Sequence, residues 1–121
     1  EMIQLANQLG FKLMLTTDHG TINVKNPSKV VGDRDTSLNL RYKTGRSLTY
    51  DVKDVLVAKN PKDVHLPSIT MSSSYIFAKS DLFFAYPNNY NHYVSYFRNT
   101  YQHGGVSLEE MIIPFVVLNP K

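Results

Sequence analysis

Two short stretches of the sequence carry residue types that can hold a metal ion. The first is Asp18-His19-Gly20, which follows the apolar run FKLMLTT at residues 11–17. A carboxylate oxygen and an imidazole nitrogen are both ligands for zinc, and glycine lets the backbone bend so that neighbouring side chains converge. Because ligands of α/β proteins gather beyond the carboxyl ends of strands, this position favours a site. The alternative is that Asp18 caps a turn and His19 is a solvated loop residue.

The second stretch is His103-Gly104-Gly105, which precedes the capping-box pattern SLEE at residues 107–110. Glycines allow close backbone approach and a helix N-terminus favours an anion, so this segment could hold a metal ion or a phosphate oxygen. A plain loop is the alternative. The two stretches together make the functional interpretation stronger than either does alone.

The elements around the first stretch predict an α/β arrangement. Residues 1–9 carry an apolar stripe typical of a helix, and Gly10 fits the position that ends it. The run at residues 11–17 then predicts a buried strand. A helix followed by a buried strand suggests a parallel layer.

The middle of the chain is predicted to be mostly extended. Residues 25–36 are polar and rich in turn-forming residues, which predicts a surface loop. Residues 37–48 alternate at first and then contain the turn signal Thr44-Gly45, whereas DVLVAKNP at residues 54–61 predicts a short strand. Two aromatic-rich runs within residues 75–87 have a spacing that suits a hairpin.

An apolar stripe at helical spacing predicts a helix that begins after residue 88 or 89. Tyr90, Val94, Phe97 and Tyr101 form the stripe, which we assign to core or interface packing rather than to stacking on single-stranded nucleic acid. Downstream, Pro114 lies inside the run IIPFVVL, so a strand is expected to begin there, or to lie at an edge or a bulge.

Composition limits the class of protein. A chain of 121 residues can build one core, and 42% hydrophobic with 19% charged residues is typical of a globular protein. Cysteine is absent, which excludes disulfides and thiolate metal sites within these residues. No apolar run approaches the roughly 20 residues that span a membrane. The net charge of +3 is only a mild basic excess, so nucleic-acid binding is a weak hypothesis for this chain.

The motifs TTDHGT at 16–21 and QHGGVSLEEMIIP at 102–114 together resemble the alkaline phosphatase superfamily, and most closely its PglZ branch. The segments at 37–48 and 72–91 resemble the PglZ-type domain at the C-terminus of certain bacterial two-component response regulators. The resemblance covers residues 1–121 as a single partial domain. It implies the C-terminal part of an alkaline-phosphatase-like α/β fold, with a mixed, mainly parallel sheet, flanking helices and an extended β-rich insertion.

The resemblance implies a binuclear phosphohydrolase that uses two zinc ions. Asp18 and His19 would then ligate one ion and His103 the other. The family's nucleophile and remaining ligands lie upstream of the Asp-His-Gly motif, so we expect no catalytic nucleophile in this segment. Thr16 and Thr17 are expected to support the site.

Basic residues within residues 41–46 could bind the substrate's charge. These are Arg41, Lys43 and Arg46, and a solvated face is the alternative for all three. His65 and His92 match no ligand motif.

The resemblance also suggests partners and a compartment. It implies a cytoplasmic protein with a phosphate-ester substrate that can be nucleotide-like, a receiver domain in the same polypeptide, a homodimer as one option, and no membrane association. The isolated segment should be inactive. The competing hypothesis is a non-catalytic interaction or dimerisation domain that uses the tyrosine helix as its contact.

Overall fold

A computed structural model describes all residues from 1 to 121. It contains three α-helices, nine β-strands and two short 3-10 turns. The helices are α1 (Met2–Gln8), α2 (Tyr90–Phe97) and α3 (Leu108–Met111), and the 3-10 turns are Val52–Asp54 and Pro61–Val64. The strands are β1 (Leu13–Thr16), β2 (Ile22–Val24), β3 (Asn26–Lys29), β4 (Tyr42–Gly45), β5 (Val55–Ala58), β6 (Ser74–Ala78), β7 (Leu82–Ala85), β8 (Thr100–Gln102) and β9 (Phe115–Leu118).

The strands form several small sheets. Three of the sheets are pairs, β1 with β9, β2 with β8 and β3 with β7, and the fourth has the order β4-β6-β5. Only the pair of β3 and β7 is parallel, and every other pairing is antiparallel. The fold is therefore mixed α/β, as predicted from the sequence.

The prediction of a mainly parallel sheet is wrong. The resemblance implied this sheet, and the order of α1 and β1 suggested a parallel layer, but β1 pairs antiparallel with β9 from the other end of the chain. The prediction that β1 is buried is also wrong, since Met14 and Leu15 are both exposed. The order of elements along the chain does not determine which strand pairs with β1. The identity of that partner decides whether the pairing is parallel or antiparallel.

Strand β7 separates two clusters of buried apolar side chains. Successive side chains of a strand point to opposite faces, so Phe84 packs in one cluster while Phe83 and Ala85 pack in the other. The first cluster consists of Val30, Val55, Ile76, Ala78 and Phe84, and the second of Ile22, Val24, Phe83 and Ala85.

Strands β6 and β7 do not pair with each other, contrary to the predicted hairpin. The segment of Leu40 and Arg41 lies between them: the Ala78 N–H donates to the Arg41 carbonyl and the Phe84 N–H to the Leu40 carbonyl, both at 2.8 Å. The chain does reverse at Ser80, which has a φ of 46°. A distant segment thus occupies the hydrogen-bonding edge that a hairpin would have used.

Several local predictions are confirmed. Gly10 has a φ of +72° and follows α1 as expected, and its N–H and that of Phe11 bond back to Asn7 and Ala6 to close the helix end. Tyr90 and Phe97, at the two ends of α2, pack with Val94 against the second cluster.

Other local predictions are wrong. Tyr101 belongs to β8 rather than to the helix, and Asn26–Lys29 is a strand although its composition is typical of a loop. Thr44-Gly45 continues β4 instead of forming a turn. None of the helices is long and apolar enough to cross a membrane.

Candidate metal centre

Asp18 and His19 lie in the loop that follows β1, and their polar atoms face each other. The Asp18 Oδ1 and His19 Nε2 atoms are 3.6 Å apart. His19 Nδ1 is 2.9 Å from the carbonyl oxygen of Gly20. Because a carbonyl only accepts hydrogen bonds, this contact assigns the proton of the neutral ring to Nδ1. The unprotonated Nε2 then lies close to a carboxylate oxygen.

His103 joins this pair although it is far away in the sequence. Its ring stacks on the His19 ring, with centroids 3.9 Å apart and planes within 10° of each other. Asp18 and His103 are exposed and His19 is partly exposed, so the three side chains lie at the surface. The structure therefore brings together all three residues that the sequence proposed as ligands.

The Asp18 carboxylate is ionised under ordinary conditions. A hydrogen bond from the backbone at Asp18 itself, followed by the positive charge that His19 carries when its ring is protonated, lowers the pKa of this carboxyl below its usual value. The hydroxyl of Thr17 is 3.3 Å from Asp18 Oδ1 and 3.1 Å from the His19 carbonyl. Thr16 donates to the carbonyl of Pro114 at 2.9 Å. Thr17 thus forms hydrogen bonds within the Asp18–His19 loop, and Thr16 joins the start of this loop to the residue that precedes β9.

Behind the histidines lies a buried carboxylate, Glu110, that sequence analysis treated only as part of a helix cap. Arg41 binds it with both arms: Nε donates to Oε1 and Nη2 donates to Oε2, each at 2.9 Å. The side chains of the two residues are 0% and 1% exposed. The backbone N–H of Gly105 donates to Oε1 at 2.9 Å, and that of Ser107 donates to Oε2 at 3.2 Å. A buried carboxylate is thus fully paired.

Two glycines allow the loops of the candidate ligands to approach Glu110. The Gly20 N–H donates to the Glu110 carbonyl at 2.9 Å, and a Cβ on Gly20 would overlap with the carbonyl oxygen of Glu109. A Cβ on Gly105 would lie 2.5 Å from Glu110 Oε2. Both glycines that follow the candidate ligands are therefore explained by close packing.

Opposing effects act on the pKa of Glu110. Burial disfavours the charged form and raises the pKa, but the hydrogen bonds from Arg41, Gly105 and Ser107 together outweigh burial, so the pKa lies below its usual value. Glu110 is charged and so is Arg41. Removing one partner of such a buried pair typically costs about 3–5 kcal/mol of stability.

The three basic residues proposed for substrate binding lie in three different environments. Arg41 and Lys43 are 0% and 2% exposed, so the alternative of a solvated face is wrong for both, whereas Arg46 is exposed. Lys43 Nζ donates to the Ser37 carbonyl at 2.8 Å and lies 5.0 Å from the centre of the Tyr86 ring. No carboxylate is within ion-pair distance of Lys43. Burial lowers the pKa of Lys43 to about 8.

Lys43 lines an open groove with a volume of about 720 Å³. Its walls combine the aromatic rings of Tyr86, Tyr93 and Phe97 with side-chain amides that include Asn39 and Gln102. The groove lies beside the loop of the second candidate ligand, because Gln102 precedes His103 and Asn39 contacts Gly104.

The three candidate ligands do not form a complete metal site by themselves. No group of three or more histidine and acidic side chains converges on one point anywhere in residues 1–121. The close Asp18–His19 pair and the stacked His103 are instead two adjoining parts of the candidate site. His65 ends the second 3-10 turn, and His92 contacts Tyr93 and Tyr96 on α2, in line with their lack of a ligand motif.

Comparison with known proteins decides the family. The family model described as the BREX system PglZ alkaline phosphatase-like domain matches residues 1–118. The chain belongs to the PglZ family. No curated protein matches the sequence. The PglZ match supports a relation to phosphoesterases of the alkaline phosphatase superfamily, and it covers both candidate ligand motifs.

Proposed function

We propose that this PglZ chain forms part of a metal-dependent phosphoesterase, with phosphodiesters as the favoured substrates and two zinc ions at the site. The single observation that carries the proposal is the meeting of Asp18, His19 and His103, which come from opposite ends of the sequence.

The Asp18–His19 pair fits one zinc ion. Ligand atoms about 2.0–2.2 Å from a tetrahedral ion are about 3.3–3.5 Å from each other, close to the 3.6 Å between Asp18 Oδ1 and His19 Nε2. Metal-bound histidines usually donate their other ring N–H to a carbonyl or carboxylate. His19 has such a partner in the Gly20 carbonyl.

The stacked His103 fits a second ion. Ions of two-metal sites are only about 3.5–4 Å apart, so ligands of the two ions lie side by side, as the stacked rings of His19 and His103 do. When bound, the ions lower the pKa of the nucleophile and neutralise charge on the phosphoryl oxygens. We assign the nucleophile and the remaining ligands to the part of the family domain upstream of Asp18.

Lys43 is the basic residue best placed to bind the substrate. Its ammonium group has one carbonyl partner and no carboxylate, so two of its three donors are free to bind an anion. The aromatic and amide walls of the groove suit a nucleotide-like ester group. Arg41 is committed to Glu110, and Arg46 adds only a solvent-screened charge.

The setting of the domain is also proposed. We infer that it is a cytoplasmic output domain attached to a receiver domain in a two-component regulator, and that it works as a homodimer. These proposals rest on the resemblance of residues 37–48 and 72–91 to such regulators.

Hydrolysis of bis(p-nitrophenyl) phosphate by the full-length protein that contains these residues tests the proposal. Turnover should require zinc, stop with a chelator, and fall at least a thousandfold in Asp18→Ala, whose fold is retained because the side chain is exposed. Asp35→Ala is the matched control, since Asp35 is exposed and its side chain forms no hydrogen bond or ion pair. Full activity of Asp18→Ala would contradict the assignment.

A second candidate is a non-catalytic interaction domain, which the outer face of α2 favours. Tyr96 on this face is 67% exposed, and its ring stacks with the ring of His92. A partner bound through this face would remain bound in the presence of a chelator. Loss of the partner in Tyr96→Ala without loss of hydrolysis would show that the two roles are separate.

A further inference from the structure

The buried pair of Arg41 and Glu110 does more than stabilise the fold. We propose that it is the positioning device that holds the Asp18–His19 loop and the His103 loop at a fixed separation. This inference rests on the proposed function, because it concerns how the same candidate ligands are aligned.

Glu110 cannot itself be a metal ligand while these contacts hold. A carboxylate has about four acceptor positions, and Glu110 uses two for Arg41, one for Gly105 and one for Ser107. Each oxygen accepts one guanidinium N–H and one backbone N–H. The acid next to the histidines is therefore a support and not a third ligand.

One residue touches both loops. The Glu110 side chain accepts the N–H of Gly105, two positions after His103, while its backbone carbonyl accepts the N–H of Gly20, the residue after His19. Glu110 thus links the two loops from behind, in addition to the pairing of Ile22 with Gln102 in β2 and β8. A tilt or shift of this residue would move both ligand-bearing loops.

Arg41 ties this support to the core. Its Nη1 donates to the Leu82 carbonyl, its backbone carbonyl accepts the Ala78 N–H at 2.8 Å, and its own N–H donates to Asn39 at 2.7 Å. These contacts lie between β6 and β7, beside both apolar clusters. The exposed loops are therefore held by a continuous set of hydrogen bonds that starts in the core.

The first test uses Glu110→Gln in the full-length protein without metal. A glutamine keeps the shape, but its amide nitrogen cannot accept the N–H groups that face it. A long-range proton–nitrogen NMR spectrum of the imidazole rings should show altered His19 and His103 signals and unchanged His65 and His92 signals. Glu109→Gln is the control, because Glu109 is exposed on the same helix, and it should leave all four unchanged.

The second test measures zinc affinity by competition with a chromogenic chelator. Changing an outer partner of metal ligands typically lowers metal affinity about 10–100-fold, so Glu110→Gln should lower the affinity for both zinc ions by such a factor. The zinc affinity of Arg41→Lys should decrease by a similar factor, because lysine keeps the charge but cannot bind a carboxylate with two parallel hydrogen bonds. Glu109→Gln should keep the wild-type affinity.

The outcomes separate this inference from the proposed function. If the wild-type protein binds no zinc, the proposed function fails, while the NMR experiment still tests the positioning. A folded Glu110→Gln protein with wild-type His19 and His103 signals would overturn the inference. If Glu110→Gln does not fold, Arg41→Lys takes its place in both tests. Failure of both variants to fold would show that the pair serves folding alone, and this result would also overturn the inference.

Discussion

Arg41 and Lys43 are two residues apart and both are buried, yet their surroundings differ in one decisive respect. Arg41 meets the carboxylate of Glu110 with two hydrogen bonds, whereas Lys43 meets a carbonyl oxygen and the face of a tyrosine ring. A guanidinium fits a carboxylate with two parallel bonds, while an ammonium is a compact charge that changes its pKa readily when it is buried.

The difference teaches what each charge is available for. The charge of Arg41 is neutralised inside the protein, so it supports the loops that carry the candidate ligands. Lys43 has no carboxylate partner and lines a groove, so we propose that its charge binds an anion that enters from outside. Burial alone does not distinguish the two residues, because both side chains are almost fully buried.

The largest effect is expected from removing the charge of Arg41. Arg41→Met leaves the Glu110 carboxylate buried without its partner, which should lower the free energy of unfolding by about 3–5 kcal/mol. Urea unfolding of the full-length protein measures it. Arg98→Met is the control, because Arg98 is exposed and should change stability by less than about 0.5 kcal/mol. A loss below about 1 kcal/mol for Arg41→Met would mean that the pair is not needed.

The opposite sign is expected at Lys43. Lys43→Met replaces an unpaired buried charge with an apolar side chain of similar length, so stability at pH 7 should stay equal or increase. If the ammonium binds substrate, the KM for the phosphodiester should rise about tenfold to a hundredfold, because a hydrogen bond to a charged group is lost. A marked loss of stability with an unchanged KM would instead make Lys43 a structural residue.

The pH dependence of stability should also distinguish the two residues. The pKa of Lys43 is about 8 in the folded chain against 10.5 ordinarily. Between these values the unfolded chain binds more protons than the folded one, so Lys43 makes stability rise with pH across this window. Urea unfolding at pH 7.5, 9 and 10.5 measures the rise, which should be absent in Lys43→Met. An identical rise in the variant would assign it to other groups.

The smallest effect is expected at Arg46. This side chain is exposed, so Arg46→Gln should change stability by less than about 0.5 kcal/mol. Any increase in KM should be smaller than for Lys43→Met and should vanish at high salt, since exposed charges are screened. An increase that persists in high salt would place Arg46 in direct contact with the substrate.

Sequence reasoning predicted those elements whose signals are local. The stripe of Tyr90, Val94 and Phe97 predicted α2, and Gly10 predicted the end of α1, because period and backbone freedom are properties of a few neighbouring residues. Asp18, His19 and His103 were predicted as one site only through the resemblance of their motifs to a family. The observed stacking of the two histidines agrees with that grouping without testing the metal.

The rest depended on partners that lie far away in the sequence. Nothing near Glu110 indicates that Arg41 binds it, and nothing in residues 75–87 indicates that Leu40 and Arg41 separate the two strands. The parallel pairing was mispredicted for the same reason, since β1 meets β9 only after the chain has folded. The local clues to the support were the capping-box pattern of Ser107 and Glu110 and the glycines Gly20 and Gly105 that follow the candidate ligands.

Zinc stoichiometry of the full-length protein tests the central claim most directly. Equilibrium dialysis should show two ions per chain in the wild type and one in both Asp18→Ala and His19→Ala. The double variant of Asp18 and His19 should keep that one ion, and adding His103→Ala to Asp18→Ala should remove it. One or two ions retained in the double variant of Asp18→Ala and His103→Ala would contradict the account.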